Sequence, residues 1–218
     1  MNTTDAGSTA TRPRPNWVEI VTTILLSLAT VASAWSAYQS ARWSGEQTKE
    51  NRSAGAFRTE STRESGLANQ QLAIDVGLFT TWLDAVATEQ DELADFYRER
   101  FPDRLDVAVE AWAAPFEATG EVPDGSPFDL DSYVLEPALE AERLVAEAEA
   151  AADRSDENNQ RADNFVLTAV LYASVLFFAG IASKMNGWYS QRIAAALGIV
   201  LFVAATSVLV SLPWNVGF

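Results

Sequence analysis

Three apolar runs constrain this chain more than any other feature, at residues 17–38, 165–183 and 193–212. Each is about 20 residues long, the length an α-helix needs to cross the ~30 Å hydrocarbon core of a bilayer. The mean hydropathy of the whole chain is close to zero and hides them. The apolar residues are segregated, so the average describes no part of the molecule. Residues 39–163 hold 28 of the 30 acidic side chains and 11 of the 15 basic ones, a net charge of −17. A surface that acidic repels nucleic acid and anionic headgroups, so nucleic acid is excluded as a partner.

The segregation predicts an all-α membrane protein. Three transmembrane helices at 17–38, 164–184 and 193–212 carry a long antiparallel helical hairpin inserted between the first and second. A tail (1–16) precedes them, a short turn (185–192) joins the last two, and a tail (213–218) follows. The first run is too long for a typical signal-peptide core and is expected to be retained, although "SAWSAYQSA" offers a weak small-residue cleavage match. Asn16 followed by Glu19 has the spacing of an N-cap box, which gives Glu19 an ordinary structural duty. Trp17, Trp188 and Tyr189 suit one membrane interface, and Trp35, Tyr38, Trp43 and Trp214 the other. The short segments carry Arg12, Arg14, Lys184 and Arg192. Arg42, Lys49, Arg52, Arg154 and Arg161 flank the opposite side. Short loops weigh more in the positive-inside rule, so the N-terminus is expected in the cytoplasm and the acidic region outside the inner membrane.

Within 39–163 the hairpin arms are expected at about 69–101 and 130–155, joined by an apex at 102–129. The first arm shows a heptad seam of Leu72, Val76, Phe79, Leu83, Val86, Gln90, Leu93 and Tyr97. The second carries Val134, Ala138, Ala141, Val145, Ala148 and Ala152, and bulky residues facing alanines permit close packing. Pro102-Asp103 can start a short helix holding Leu105, Val109 and Trp112, with Gly/Pro-rich loop from 115 to 127. Residues 44–70 are polar and weakly periodic. They read as a helical extension interrupted by Gly45, Gly55 and Gly66, with a kink or fold-back expected near these glycines.

Chemistry-bearing patterns are sparse. The chain has no cysteine and no histidine, which removes disulfides, thiol chemistry, the usual zinc sites and histidine general bases. Asp124, Asp129 and Asp131 do not match a calcium loop. Asp129, Asp131 and Ser132 are expected to cap the returning helix instead. Glu46, Glu50, Glu60 and Glu64 have helical spacing that suits a solvated face. No nucleophile–base pair or phosphate loop is present, so no catalytic residue, cofactor or metal site is assigned.

One further pattern lies in the first run. Glu19, Thr23, Thr30, Ser33, Ala37 and Ser40 fall near one helix face, with Ser27 and Ala34 beside it. Small residues let helix backbones approach in lipid, and Ala169, Ala173, Gly180, Ala194 and Gly198 supply similar faces to the other runs. The stripe is expected to pack against helices of the same chain and of other copies. The alternative is a hydrated cation path.

"YQSARWSGEQ" (38–47), "RF" (100–101), "AW" (111–112), "SPF" (126–128) and "NFVLTAVLYASVLFFAGI" (164–181) together resemble a family of uncharacterised bacterial three-span membrane proteins. The likeness covers about residues 17–185. It implies the same plan of one span, a helical domain and two spans, and it brings no activity to any residue. The expected function is therefore a non-enzymatic, multi-pass, homo-oligomeric scaffold or sensor in the lipid bilayer, with the apex 102–129 as the candidate surface for a protein partner. A pore or transport subunit is the second reading, and an enzyme the weakest.

Overall fold

The computed structural model describes residues 17–119, 124–185 and 187–216, and these form helices and turns with no strand among them. In chain order the helices are α1 (Trp17–Ala87), α2 (Asp91–Arg98), α3 (Asp103–Thr119), α4 (Glu136–Lys184) and α5 (Trp188–Ser211), with a 3-10 turn at Pro127–Asp129. Three of them, α1, α4 and α5, contain windows long and apolar enough to cross a membrane. Asn16 and Asn186 lie outside the described residues, as do Arg12 and Arg14, so the expected N-cap box and the centre of the turn are not part of this description.

α1 is one unbroken helix of 71 residues. The fold-back expected near Gly45, Gly55 and Gly66 is absent; a Cβ on any of the three would meet nothing within 4 Å. Each glycine weakens a helix by roughly 1 kcal/mol relative to alanine. The segment offsets this with good helix formers and ion pairs one turn apart, Lys49 with Glu46 and Arg63 with Glu60. It also buries a small residue every seventh position, at Ala54, Ser61 and Ala68. α1 ends at a residue that sequence reading passed over. Glu89 adopts a positive φ of 55°, and the Gln90 N–H reaches back to the Ala85 carbonyl at 2.9 Å. That is the bond pattern of a Schellman C-cap, with Glu89 where glycine usually stands.

The buried positions of α4 repeat at alternating spacings of three and four: Ala141, Leu144, Ala148, Ala151, Ser155, Asn158, Ala162 and Phe165. Leu144 and Ala151 are buried there, whereas Val145, of the expected seam, is 45% exposed and Ala152 half-buried. α4 begins at Glu136, so Asp129, Asp131 and Ser132 lie upstream of it and cannot cap its first turn. The nearby cap belongs to the 3-10 turn, where the Phe128 N–H donates to Ser126 Oγ. Pro115, expected to open a loop, sits inside α3.

The chain divides into two compact units, Met1–Lys49 with Arg154–Phe218, and Glu50–Asp153. In the first, Leu25 and Ala29 of α1 share a core with Phe165, Tyr172, Val175 and Ala179 of α4 and Ala205 and Leu209 of α5. Val18 packs with Ala182, Ala194 and Ala195. At Gly198 α5 comes close to both neighbours: a Cβ there would stand 3.1 Å from Leu25 Cδ2 and 3.7 Å from the Ala179 amide nitrogen. Tyr172 and Thr206 join α4 to α5 by a hydroxyl–hydroxyl bond of 3.0 Å.

In the second unit, Phe79, Phe101, Leu105 and Val109 form the core, with Trp82, Trp112 and Phe128 against it. Aromatic edges meet faces throughout: Phe79 with Trp112 at 5.5 Å and with Phe128 at 5.6 Å, and Trp82 with Phe101 at 5.9 Å. Ser61 Oγ donates to the Ala141 carbonyl at 3.0 Å, bringing α1 against α4. Phe79 of the first arm thus meets Trp112 of α3 and Phe128 of the 3-10 turn.

Candidate functional site

The most chemically organised point in the second unit is Asp75, whose side chain is completely buried. A buried carboxylate needs a partner of opposite charge and a full set of hydrogen bonds. Arg104, from the start of α3, supplies two: Nε donates to Oδ2 at 2.7 Å and Nη2 to Oδ1 at 3.0 Å. Tyr133, from the segment entering α4, donates its hydroxyl to Oδ2 at 2.8 Å. Three separate chain segments therefore converge on one carboxylate.

The electrostatics follow from that geometry. Burial disfavours the phenolate and, together with the hydrogen bond to Asp75, pushes the Tyr133 phenol up to about 12, against the opposing pull of Arg104. Burial works against the charge of Arg104, but its bonds to Asp75 and Tyr133 outweigh this and its pKa is raised. An open groove of about 880 Å³ runs beside the cluster, lined by Gln71, Asp103, Arg104, Val107, Ser132 and Glu136 among others. Arg104 presents its partly exposed edge to the groove while both carboxylate oxygens of Asp75 are occupied. The arrangement is a clamp: it holds a proton on Tyr133 and a charge on Arg104. Among the described residues no cluster of three metal-ligating side chains occurs.

Of the first-arm seam, Phe79 is buried, Leu72 and Tyr97 are half-buried, and Val76, Leu83, Val86 and Leu93 are 38–46% exposed. The face of α1 turned inward here is instead Ala68, Asp75, Phe79 and Ala85. Asp75 escaped sequence reading because a lone acid among apolar residues looks like a surface position. The signal that could have found it is the heptad series 54, 61, 68 and 75, whose other members are small.

In the first unit the inward face of α1 is Val18, Thr22, Leu25, Ala29, Ser36 and Gln39. The stripe of Glu19, Thr23, Thr30 and Ala37 faces outward, with Ser27 and Ala34, while Ser33 and Ser40 are half-buried. The exposed hydroxyls donate within their own helix. Thr23 bonds to the Glu19 carbonyl at 2.7 Å, Ser27 to Thr23 at 3.0 Å and Thr30 to Leu26 at 2.7 Å. Of the expected small faces on the other helices, Ala194 and Gly198 are buried, Ala169 and Gly180 half-buried, and Ala173 exposed.

The tryptophans of the first unit gather in two groups. Trp17 and Trp188 both lie against the Arg192 guanidinium, at 5.5 and 3.6 Å. Trp35 meets Trp214 edge-on at 5.8 Å, Trp43 Nε1 donates to the Pro213 carbonyl at 3.1 Å, and the Asn215 N–H donates to Gln39 Oε1 at 2.9 Å. The segment after α5 is thereby tied to α1 by contacts that no local sequence pattern announces. No family model, curated protein or solved structure matches the chain.

Proposed function

We propose that this chain is a non-enzymatic, three-span protein of the bacterial inner membrane that assembles as a homo-oligomer and presents an extracytoplasmic helical hairpin as a scaffold or sensor module. The observation that carries the reading is the outward face of the first unit. Ile24, Val31, Val170, Phe177, Val200 and Val203 are all about 50–70% exposed, which suits lipid and not water. α1 leading into the second unit and α4 returning from it supply the two arms of the hairpin. Oligomerisation is supported by Thr23, Ser27, Thr30, Ala34, Ala37 and Ala41, which alternate spacings of four and three and are exposed. Small residues at coiled-coil spacing let a second helix approach closely in lipid.

The pore reading draws on the same stripe. It is disfavoured because Thr23, Ser27 and Thr30 direct their protons to their own helix, a geometry at ease against lipid or a packed helix. Thr30→Leu separates the two readings. If the stripe packs, the purified protein shifts to a smaller assembly on size-exclusion with light scattering, and the wild type carries no current in liposomes. A cation conductance in wild-type liposomes whose selectivity changes in Glu19→Gln establishes the pore instead.

A further inference from the structure

Arg192 is held in an unusual way. Its guanidinium carbon stands 3.6 Å from the centre of the Trp188 ring and 5.5 Å from that of Trp17. Nε is buried without a hydrogen-bond partner. Among the described residues no carboxylate lies within ion-pair distance of Arg192 or of Lys184, which closes α4 four positions before Trp188. Glu19, the acid in the first turn of α1, is exposed and makes no ion pair with either. Two cations thus stand without an acid partner among the described residues at one end of the first unit, in a chain whose net charge is −15. Indole faces fix the plane of a guanidinium and desolvate it without using its N–H groups. A planar fork with unused donors matches an oxyanion bidentately, which an ammonium cannot do.

We propose that Arg192, stacked between Trp17 and Trp188, binds the phosphate of an anionic phospholipid, with Lys184 adding charge at the same turn. The inference rests on the three-span reading, which puts the α4–α5 turn at the headgroup layer. Tryptophans sit at that depth in membrane proteins, and phosphates are the anions present there at the highest density. Exposed Trp188, against the guanidinium, and exposed Tyr189, next to it in the chain, give acyl and glycerol groups an apolar surface. The recognition is local to this turn and owes nothing to the acidic second unit.

The test uses the full chain purified in mild detergent. Phosphatidylglycerol and phosphatidylcholine of the same acyl chains are offered in equal amounts, and bound lipid is counted by native mass spectrometry. The wild type retains phosphatidylglycerol about fivefold more strongly, the effect of one basic residue at an anionic surface. Arg192→Gln removes the preference. Arg192→Lys keeps the charge but loses the fork and restores only part of it, while Arg161→Gln, at the other group of tryptophans, leaves it intact. Equal retention of both lipids by the wild type, or an undiminished preference in a folded Arg192→Gln, overturns the proposal. Displacement of phosphatidylglycerol by millimolar inorganic phosphate also overturns it, since the site then reads a free anion. Reconstitution into phosphatidylcholine vesicles provides the separate control. A chain that fails to insert there defeats the three-span reading, whereas one that inserts without lipid preference defeats only this inference.

Discussion

A single buried carboxylate joins three separate segments of the second unit, a task that the heptad pattern assigned to apolar residues alone. Asp75 is held by Arg104 and Tyr133, so removing the arginine leaves a charge buried and unpaired. Breaking a buried pair from one side typically costs ~3–5 kcal/mol, whereas replacing both partners is far milder. Arg104→Met should therefore destabilise the protein strongly to chemical denaturant, and Asp75→Asn combined with Arg104→Met should recover much of the loss. The same cluster sets a pH limit. Tyr133 ionises at about 12 in the folded chain and near 10 when unfolded, so the unfolded chain loses that proton first. Stability from this group is complete below pH 10 and declines progressively as pH rises from about 10 to about 12. In Tyr133→Phe that part of the decline disappears, a difference measurable by denaturation at pH 9 and pH 11. None of this was legible in the sequence. Asp75, Arg104 and Tyr133 are 29 and 58 residues from one another along the chain, counted from Asp75. Their pairing depends on helix rotation that periodicity alone leaves open.

Among the helices, the three apolar windows and the helical character of the arms were legible, because both rest on local composition and spacing. The choice of face was not. The row Val76, Leu83 and Val86 obeys the heptad rule as well as the row that is buried, and the decision falls to Asp75 and to Phe101, Trp112 and Phe128. Phe79→Ala should cost ~3–5 kcal/mol through lost aromatic packing. Leu83→Ala, 40% exposed, should change stability by less than about 0.5 kcal/mol. A large and protein-concentration-dependent loss in Leu83→Ala would instead place that row in a contact between copies. The end of α1 allows a test in the stabilising direction. Glu89 occupies the left-handed region at a cost of roughly 1–2 kcal/mol for a residue bearing a Cβ. Glu89→Gly should relieve most of that cost and raise the denaturation midpoint, provided the Schellman bond from Gln90 is retained. The seam read through Gln90 to Tyr97 breaks at this cap, a local conformational event with no glycine to announce it.

For the whole molecule the proposed three-span plan turns on which side of the membrane the acidic unit occupies, because that side decides where a partner of the proposed scaffold would be met. Two biases compete. In the proposed topology Lys184 and Arg192 favour a cytoplasmic α4–α5 turn, while Arg42, Lys49, Arg154 and Arg161 crowd the other ends of the same apolar windows. Positive charge in short loops is the stronger determinant, because long segments translocate largely regardless of their charge. Much of the competing charge is also neutralised locally: Arg161 bonds to Glu157 at 3.1 Å and Lys49 to Glu46 at 3.4 Å. Lys184 and Arg192 have no such acid partner among the described residues. The acidic unit is accordingly expected outside the cytoplasm, and the cysteine-free chain makes this direct to measure. Asp124→Cys reports on the apex of the second unit, where the residue is exposed. For the turn, Tyr189→Cys is the better probe, being 76% exposed, since any side chain at Gly187 would press on Ser190 Oγ at 2.7 Å. In intact cells a membrane-impermeant maleimide should label position 124 and spare 189, and permeabilisation should make 189 reactive. The reverse pattern inverts the topology and turns the hairpin toward cytoplasmic partners. Labelling of both positions in intact cells is incompatible with three crossings, because of the three apolar helices α4 alone lies between the apex and the turn, and a single crossing puts them on opposite sides.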